Sequence, residues 1–456
     1  MSKEKKSLFG LSGQAKERLI QAALDKRSES AGRQQDETET SHSRFSGERR
    51  LNIDPALSRF DSYPNYKDML IQKAASEQLG LENPFFRVHE GIAADTSVVD
   101  GKECINFSSY NYLGLSGDPR VMQAAKDAID QYGTSASASR PVSGERPIQR
   151  QLEKKLAELY GTEDCVVFVS GHATNVSTIG YLFGPNDLII HDSLIHNSVL
   201  MGIQLSGAFR LSFPHNDWKA LDRILSERRK GYQRVLIVTE GIYSMDGDYP
   251  DLPKFIDIKK RHKAFLMVDE AHSLGIMGER GKGIAEHFNI AGSEVDIWMG
   301  TLSKTLGGCG GYIAGEKALV DHLKFAAPGF LYSVGISPPL AAASLRALEI
   351  LEQEPHRVRH IQHNGEFFKK RADEAGLDTG LSMGLSITPL IIGSSIKATR
   401  LSNRLFEKGI NVQPIIYPAV EERAARLRFF ICTTHTEEQI ETTVNIVQDQ
   451  LAKIQG

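Results

Sequence analysis

The chain is 456 residues long, 41% hydrophobic and 24% charged, with a formal net charge of −3. That length accommodates one large and one smaller lobe, and the near-neutral balance excludes the basic footprint of bulk nucleic-acid binding. Cys104, Cys165, Cys309 and Cys432 form no CxxC pair and no metal-ligand spacing, and the amino terminus lacks an apolar signal-peptide core, so a cytoplasmic, metal-free protein is expected.

The first 50 residues hold 11 Lys/Arg and 8 Asp/Glu. Such a composition buries little apolar surface, so residues 1–50 read as a charged tail, disordered over 32–47. Ser12 can cap a short helix in which Leu19, Ile20, Ala23 and Leu24 share one side. The helix is either idle linker or a dock for an acidic carrier protein, which Lys16, Arg18, Lys26 and Arg27 would meet electrostatically. Residues 51–103 form an arm leading into the large domain.

From Cys104 onward, apolar runs of strand length alternate with amphipathic stretches. Strands are expected over 165–170, 187–191, 234–239, 264–268 and 295–299, and helices over 119–131, 147–160, 217–229 and 252–262. This alternation predicts an α/β domain over 104–338, with a mostly parallel central sheet, helices on both faces and ligands at the carboxyl ends of the strands. The uncharged stretch 325–345 contains Pro328, Pro338, Pro339, Gly329 and Gly335, which excludes a continuous transmembrane helix. A buried loop and then a helix from about Pro339 are expected instead. Helices over 340–354 and 356–375, strands near 386–392, 410–415 and 427–432, and a last helix from Thr436 outline a smaller α+β domain, 339–456.

The strand ends carry the chemistry. WMGTLSKTLGGCGG, 298–311, presents Thr301, Ser303 and Lys304 in a small-residue turn. There a lysine amine can reach a bound aldehyde while hydroxyls and backbone N–H groups face a phosphate. In VDEAHSLG, 268–275, Asp269 can sit under a pyridinium nitrogen and keep it protonated, with His272 directed to the ring's phenolic oxygen. Ser170, Gly171 and His172 lie where a strand turns into a helix from about Ala173, so free N–H groups and the helix dipole favour an anion there. Together these residues point to pyridoxal 5′-phosphate as cofactor.

NFSSYNYLGLS (106–116), FVSGHATN (168–175), HDSLIHNS (191–198), FPHNDW (213–218), EGIYSMDGD (240–248) and ARLRFFICTTHT (425–436) follow one another as similar segments do in the α-oxoamine synthases. The chain resembles that family, which includes serine palmitoyltransferase and 8-amino-7-oxononanoate synthase, from about residue 86 to about residue 450. The resemblance implies a fold-type-I, aspartate aminotransferase-like pyridoxal-phosphate transferase acting as a homodimer. It also implies decarboxylative condensation of a small amino acid, glycine, alanine or serine, with a medium- to long-chain acyl thioester. Coenzyme A or an acyl-carrier protein would carry the thioester, and the products would be an α-amino ketone, CO2 and free thiol. SGERPIQ, SGHATNV and YPAVEE look closest to members that serve polyketide and fatty-acid assembly systems, which favours the carrier protein.

By the same resemblance Lys304 carries the cofactor and is the base at Cα, His196 stacks on the ring, and Arg428 binds the substrate carboxylate. Asn111 touches that carboxylate or the ring oxygen, and Ser333 completes the phosphate cup of a second subunit. Ser244 borders the ring or is a turn hydroxyl; Arg426 faces solvent. Two positions depart from the family pattern: Ile416, where serine palmitoyltransferase-like enzymes often have a second arginine, and Gln149, where a histidine is usual. An aminotransferase sharing Lys304 and Asp269, or a non-catalytic regulatory protein on the same fold, stays open as an alternative.

Overall fold

A computed structural model describes residues 53–455; the helix expected near Ser12 and the segment 32–47 lie outside the described residues. The chain divides into two units, one ending at Phe86 and one starting at Arg87. The first contains two short 3-10 turns, Pro55–Ser58 and Phe60–Ser62, and the helix Pro64–Gln78, which opens on a proline whose missing N–H costs nothing there.

The second unit starts with β1 (His89–Glu90), β2 (Thr96–Val99) and β3 (Lys102–Asn106), an antiparallel ribbon. The central sheet comprises β4 (Asp164–Phe168), β5 (Leu188–Asp192), β6 (Phe209–Phe213), β7 (Val235–Glu240), β8 (Phe265–Asp269), β9 (Ile297–Thr301) and β10 (Gly311–Gly315). Its order is β4-β10-β9-β8-β7-β5-β6, and every strand except β10 points the same way. β4, β5 and β7 are buried at every residue, as a sheet covered on both faces requires. Side chains alternate between the two covers. Leu188, Ile190, Val235, Ile237 and Val268 enter one apolar core, while Ile189, Leu236, Val238 and Met267 enter another.

Beyond Pro338 come the helices Pro338–Gln353 and His356–Glu374, then β11 (Ile387–Ile391), β12 (Ile410–Asn411), β13 (Gln413–Ile415), β14 (Arg426–Phe430) and the helix Glu437–Gln455. β11, β14 and β13 form an antiparallel sheet, whereas β12 pairs in parallel with β3. The single strand expected over 410–415 is thus two, broken at Val412 and shared between two sheets. Among the elements not anticipated, β6 is an edge strand of mixed exposure and β10 is glycine-rich, so neither carries a strong apolar run; the helices Asn197–Ser206, Lys317–Ala326 and Ser395–Glu407 were not foreseen either.

The buried loop expected after residue 325 needs correction. Helix Lys317–Ala326 turns Val320 and Leu323 inward, which leaves Phe325 outward and 81% exposed, and after the short helix Pro328–Leu331 Tyr332 is 86% exposed. Among the described residues no helix is long and apolar enough to cross a membrane.

Candidate active site

The parallel strands deliver their last residues to one edge. Lys304 follows the carboxyl end of β9, and its Nζ lies 2.6 Å from His272 Nε2. Burial pushes its ammonium down to about 8, although Asp269 and Glu240 pull the other way. His272 is fixed by the Tyr112 hydroxyl, 2.7 Å from Nδ1. Burial, then the positive charges of Lys304 and Arg428, drive His272 well below the usual histidine range, so its ring is neutral.

Asp269 closes β8, buried and, among the described residues, in no ion pair. Its Oδ1 accepts from the Ala271 N–H and its Oδ2 from Asn175 Nδ2, both at 3.0 Å. Across the ladder stands Glu240, the last residue of β7. Glu240 accepts from the His196 N–H at 2.7 Å, and burial next to Asp269 holds its carboxyl well above the ordinary range. His196 caps helix Asn197–Ser206, with Nδ1 2.7 Å from the Ser198 hydroxyl, and burial lowers its pKa.

A cradle for an anion lies alongside. Ser170 caps helix Gly171–Leu182, accepting from the Ala173 N–H, and the helix starts at Gly171 rather than Ala173 for that reason. Gly171 approaches so near that a Cβ there would stand 2.8 Å from Thr301 Oγ1, and Thr301 Oγ1 is 2.7 Å from Ser303 Oγ. The helix start, with exposed His172 in its first turn, and both hydroxyls of the lysine loop therefore converge. Ser333 lies elsewhere, lining a crevice of about 10 Å³ with Arg140 and Val169.

Arg428 projects from β14 with its guanidinium 4.6 Å from the centre of the Phe430 ring. Nη1 donates to the Ser244 carbonyl at 3.0 Å, Nε has no partner, and no carboxylate pairs with it among the described residues. Burial lowers its pKa. Ser244 therefore meets the site through its backbone carbonyl as well as any use of its hydroxyl. Arg426, expected at the surface, is instead buried and ion-paired to Asp246 at 2.6 Å, with Nη1 also on the Met245 carbonyl. Residues two apart on a strand share a face, so Arg426 follows Arg428 toward the same loop.

Asn111 lines a cavity of about 370 Å³ that opens at Lys304 and Ser303, together with Ser108, Ser109 and Tyr110. Its amide is engaged by backbone, Nδ2 donating to Ala93 and Oδ1 accepting from Ser116, both at 3.1 Å. Gln149 accepts from the Arg146 N–H and donates to the Ile336 carbonyl, a buried structural role with no need of a titrating group. Tyr110, Tyr112, Asn175 and Glu240 were not singled out from sequence. Glu240 had a signal, since two neighbouring apolar runs each end in a carboxylate.

Another unforeseen group holds the loop under Arg428. His215 Nδ1 lies 2.9 Å from Asp192 and Nε2 2.8 Å from Asp248. Burial lowers its pKa, but the two carboxylates outweigh that and carry it to about 10.

This geometry fits pyridoxal phosphate. Asp269 offers a buried carboxylate in no ion pair among the described residues, Lys304 an amine readily neutralised, and the Gly171–Thr301–Ser303 cradle an anion site; Asn175 Oδ1 is a buried acceptor with no partner among the described residues. The family model for class I and II aminotransferases matches residues 102–447. An 8-amino-7-oxononanoate synthase from Symbiobacterium thermophilum is 41% identical over 375 residues, 82% of this chain and 95% of the relative. The chain belongs to the α-oxoamine synthases.

A second 8-amino-7-oxononanoate synthase of that family, from Thermoanaerobacter pseudethanolicus, is 40% identical over 78% of this chain and 90% of its own length. Among solved structures, the Sphingomonas wittichii serine palmitoyltransferase superposes with a TM-score of 0.82 at 27% identity, covering 86% of this chain and 98% of that one. The Francisella tularensis 8-amino-7-oxononanoate synthase gives 0.67 at 27% identity, over 77% and 98%. This α-oxoamine synthase has the fold-type-I transferase fold, takes pyridoxal 5′-phosphate and is an acyltransferase that condenses an amino acid with an acyl thioester.

Proposed function

We propose that the protein condenses glycine, alanine or serine with a medium- to long-chain acyl thioester of coenzyme A or an acyl-carrier protein, releasing CO2 and thiol and forming an α-amino ketone. The observation that carries this reading is the pairing, in one buried site, of a lysine with a lowered pKa and an arginine that has no carboxylate partner among the described residues. When bound, pyridoxal phosphate supplies the electron sink that makes a proton at Cα, and later a carboxylate, removable.

The residues do the rest. Asp269, held by Asn175 and the Ala271 N–H, keeps a proton on the ring nitrogen. Lys304 would hold the cofactor and, as a free amine, would serve as the base at Cα, its lowered pKa bringing neutral amine into the working pH range. His272, neutral and braced by Tyr112, would offer a hydrogen-bonding nitrogen to the cofactor, and His196 would help hold it. Arg428 grips the amino-acid carboxylate as a bidentate donor. Ser170, Gly171, His172, Thr301 and Ser303 hold the phosphate.

We also propose a homodimer in the cytoplasm, in which exposed Phe325 and Tyr332 are covered by a second copy and Ser333 reaches its partner's phosphate. The deciding experiment is a panel of the three amino acids against octanoyl to palmitoyl thioesters on both carriers, read by product mass. An α-amino ketone from one pair supports the reading; amine exchange with a keto acid and no CO2 overturns it in favour of an aminotransferase.

A further inference from the structure

The amino-terminal edge of the central sheet, at the opposite end of the strands from Lys304, carries exposed aromatic rings among cations. Phe209 opens β6 and is 50% exposed, and Phe265 opens β8 and is 43% exposed. Phe209 stacks on Tyr232 at 5.7 Å. The helices Trp218–Arg228 and Leu252–His262 both finish here, in RRKGYQR (228–234) and KKRHK (259–263). Arg229 ties these ends together, Nε donating to the His262 carbonyl at 2.8 Å, Nη1 to that of Tyr232 at 2.8 Å and Nη2 to that of Lys263 at 3.2 Å.

Most nearby acids are already taken. Asp187 pairs with Arg234, Asp222 with Arg261 and His262, and Asp296 and Glu294 with Lys259 and Lys260. Arg228, Lys230 and Lys263 are exposed and have no ion pair among the described residues, against one similarly free carboxylate, Glu227. On a chain of net charge −3 this is a local excess of positive charge around apolar rings.

We propose that this edge seats the protein on the surface of a bilayer containing anionic lipid, with lipid phosphates at Arg228, Lys230 and Lys263 and the Phe209 and Phe265 rings at the level of the glycerol backbone. An acidic carrier protein would satisfy the cations but not the chemistry. A strand of five residues is about 17 Å long, and the buried sheet lies between this edge and Lys304, so a thioester delivered here would have to pass through the core. Seating on a membrane leaves the carboxyl edge open to a water-soluble thioester.

The test is cosedimentation of full-length holoenzyme with vesicles of phosphatidylcholine alone or mixed with phosphatidylglycerol, at low and high salt. The expected result is binding to the anionic vesicles only, reversed by salt. The triple variant Arg228→Gln, Lys230→Gln, Lys263→Gln should bind about a hundredfold more weakly, at about fivefold per cation, with unchanged turnover of soluble substrates. The Phe209→Ser, Phe265→Ser variant should also lose affinity, with its salt dependence retained. Undiminished binding by the triple variant, no binding by the parent at low salt, or charge-dependent capture of a carrier protein without any of vesicles would each overturn the proposal.

Discussion

Lys304 sits where three influences meet: burial, the carboxylates Asp269 and Glu240, and the His272 nitrogen at 2.6 Å. Because its folded pKa lies near 8, below the ordinary 10.5, neutral amine accumulates as pH rises through about 8. The rate at which cofactor-free protein captures pyridoxal phosphate should therefore climb through that value, followed as growth of the visible absorbance band. Lys304→Ala should abolish borohydride-stable attachment; persistent attachment would assign the linkage to another lysine. Arg428→Ala should raise the amino-acid KM about 10- to 100-fold, the worth of losing charge-assisted hydrogen bonds, while cofactor retention stays near normal. Unchanged KM would hand the carboxylate to another donor. Lys304, Asp269 and His272 were legible because each follows an apolar run in a loaded phrase. Tyr112 was not, since its bond to His272 spans 160 residues of sequence and nothing local announces it.

Elements set these side chains by their ends. The first turn of helix Gly171–Leu182 reaches the lysine loop only because residue 171 has no Cβ; Gly171→Ala would push against Thr301. Overpacking of that kind costs about 1–3 kcal/mol, so cofactor affinity, measured by dialysis, should fall about 5- to 100-fold with the fold intact by circular dichroism. The loop 240–248 is held by His215 at Asp248 and presents the Ser244 carbonyl to Arg428. A histidine raised from 6.5 to about 10 adds stability that is complete below 6.5 and lost as pH rises toward 10. Denaturation midpoints of His215→Asn should therefore lose part of that downward slope, and its amino-acid KM should rise; a slope identical to the parent's would remove His215 from the account. The FPHNDW phrase was visible as a motif, but its partners Asp192 and Asp248 belong to other segments. β10 escaped notice for a related reason, as GGYIAG reads locally as turn and becomes strand only between β4 and β9.

At the scale of the whole molecule, alternation of apolar runs and amphipathic helices was enough to foresee a mostly parallel sheet with its chemistry at the carboxyl edge, since that pattern follows from backbone physics alone. What it could not supply is what covers Phe325 and Tyr332, because an apolar residue reads as core in sequence whichever surface buries it. If a second copy does so, Tyr332→Glu should shift the protein toward monomer in sedimentation equilibrium; an unchanged mass would place the contact elsewhere. Decarboxylative condensation at Lys304 is tested most directly by supplying the amino acid labelled at its carboxyl carbon with the thioester and following labelled CO2 and free thiol together. One CO2 per thiol, an amino ketone without label, and neither product from Lys304→Ala are expected. Label retained in the acylated product, or thiol released without CO2, would contradict it.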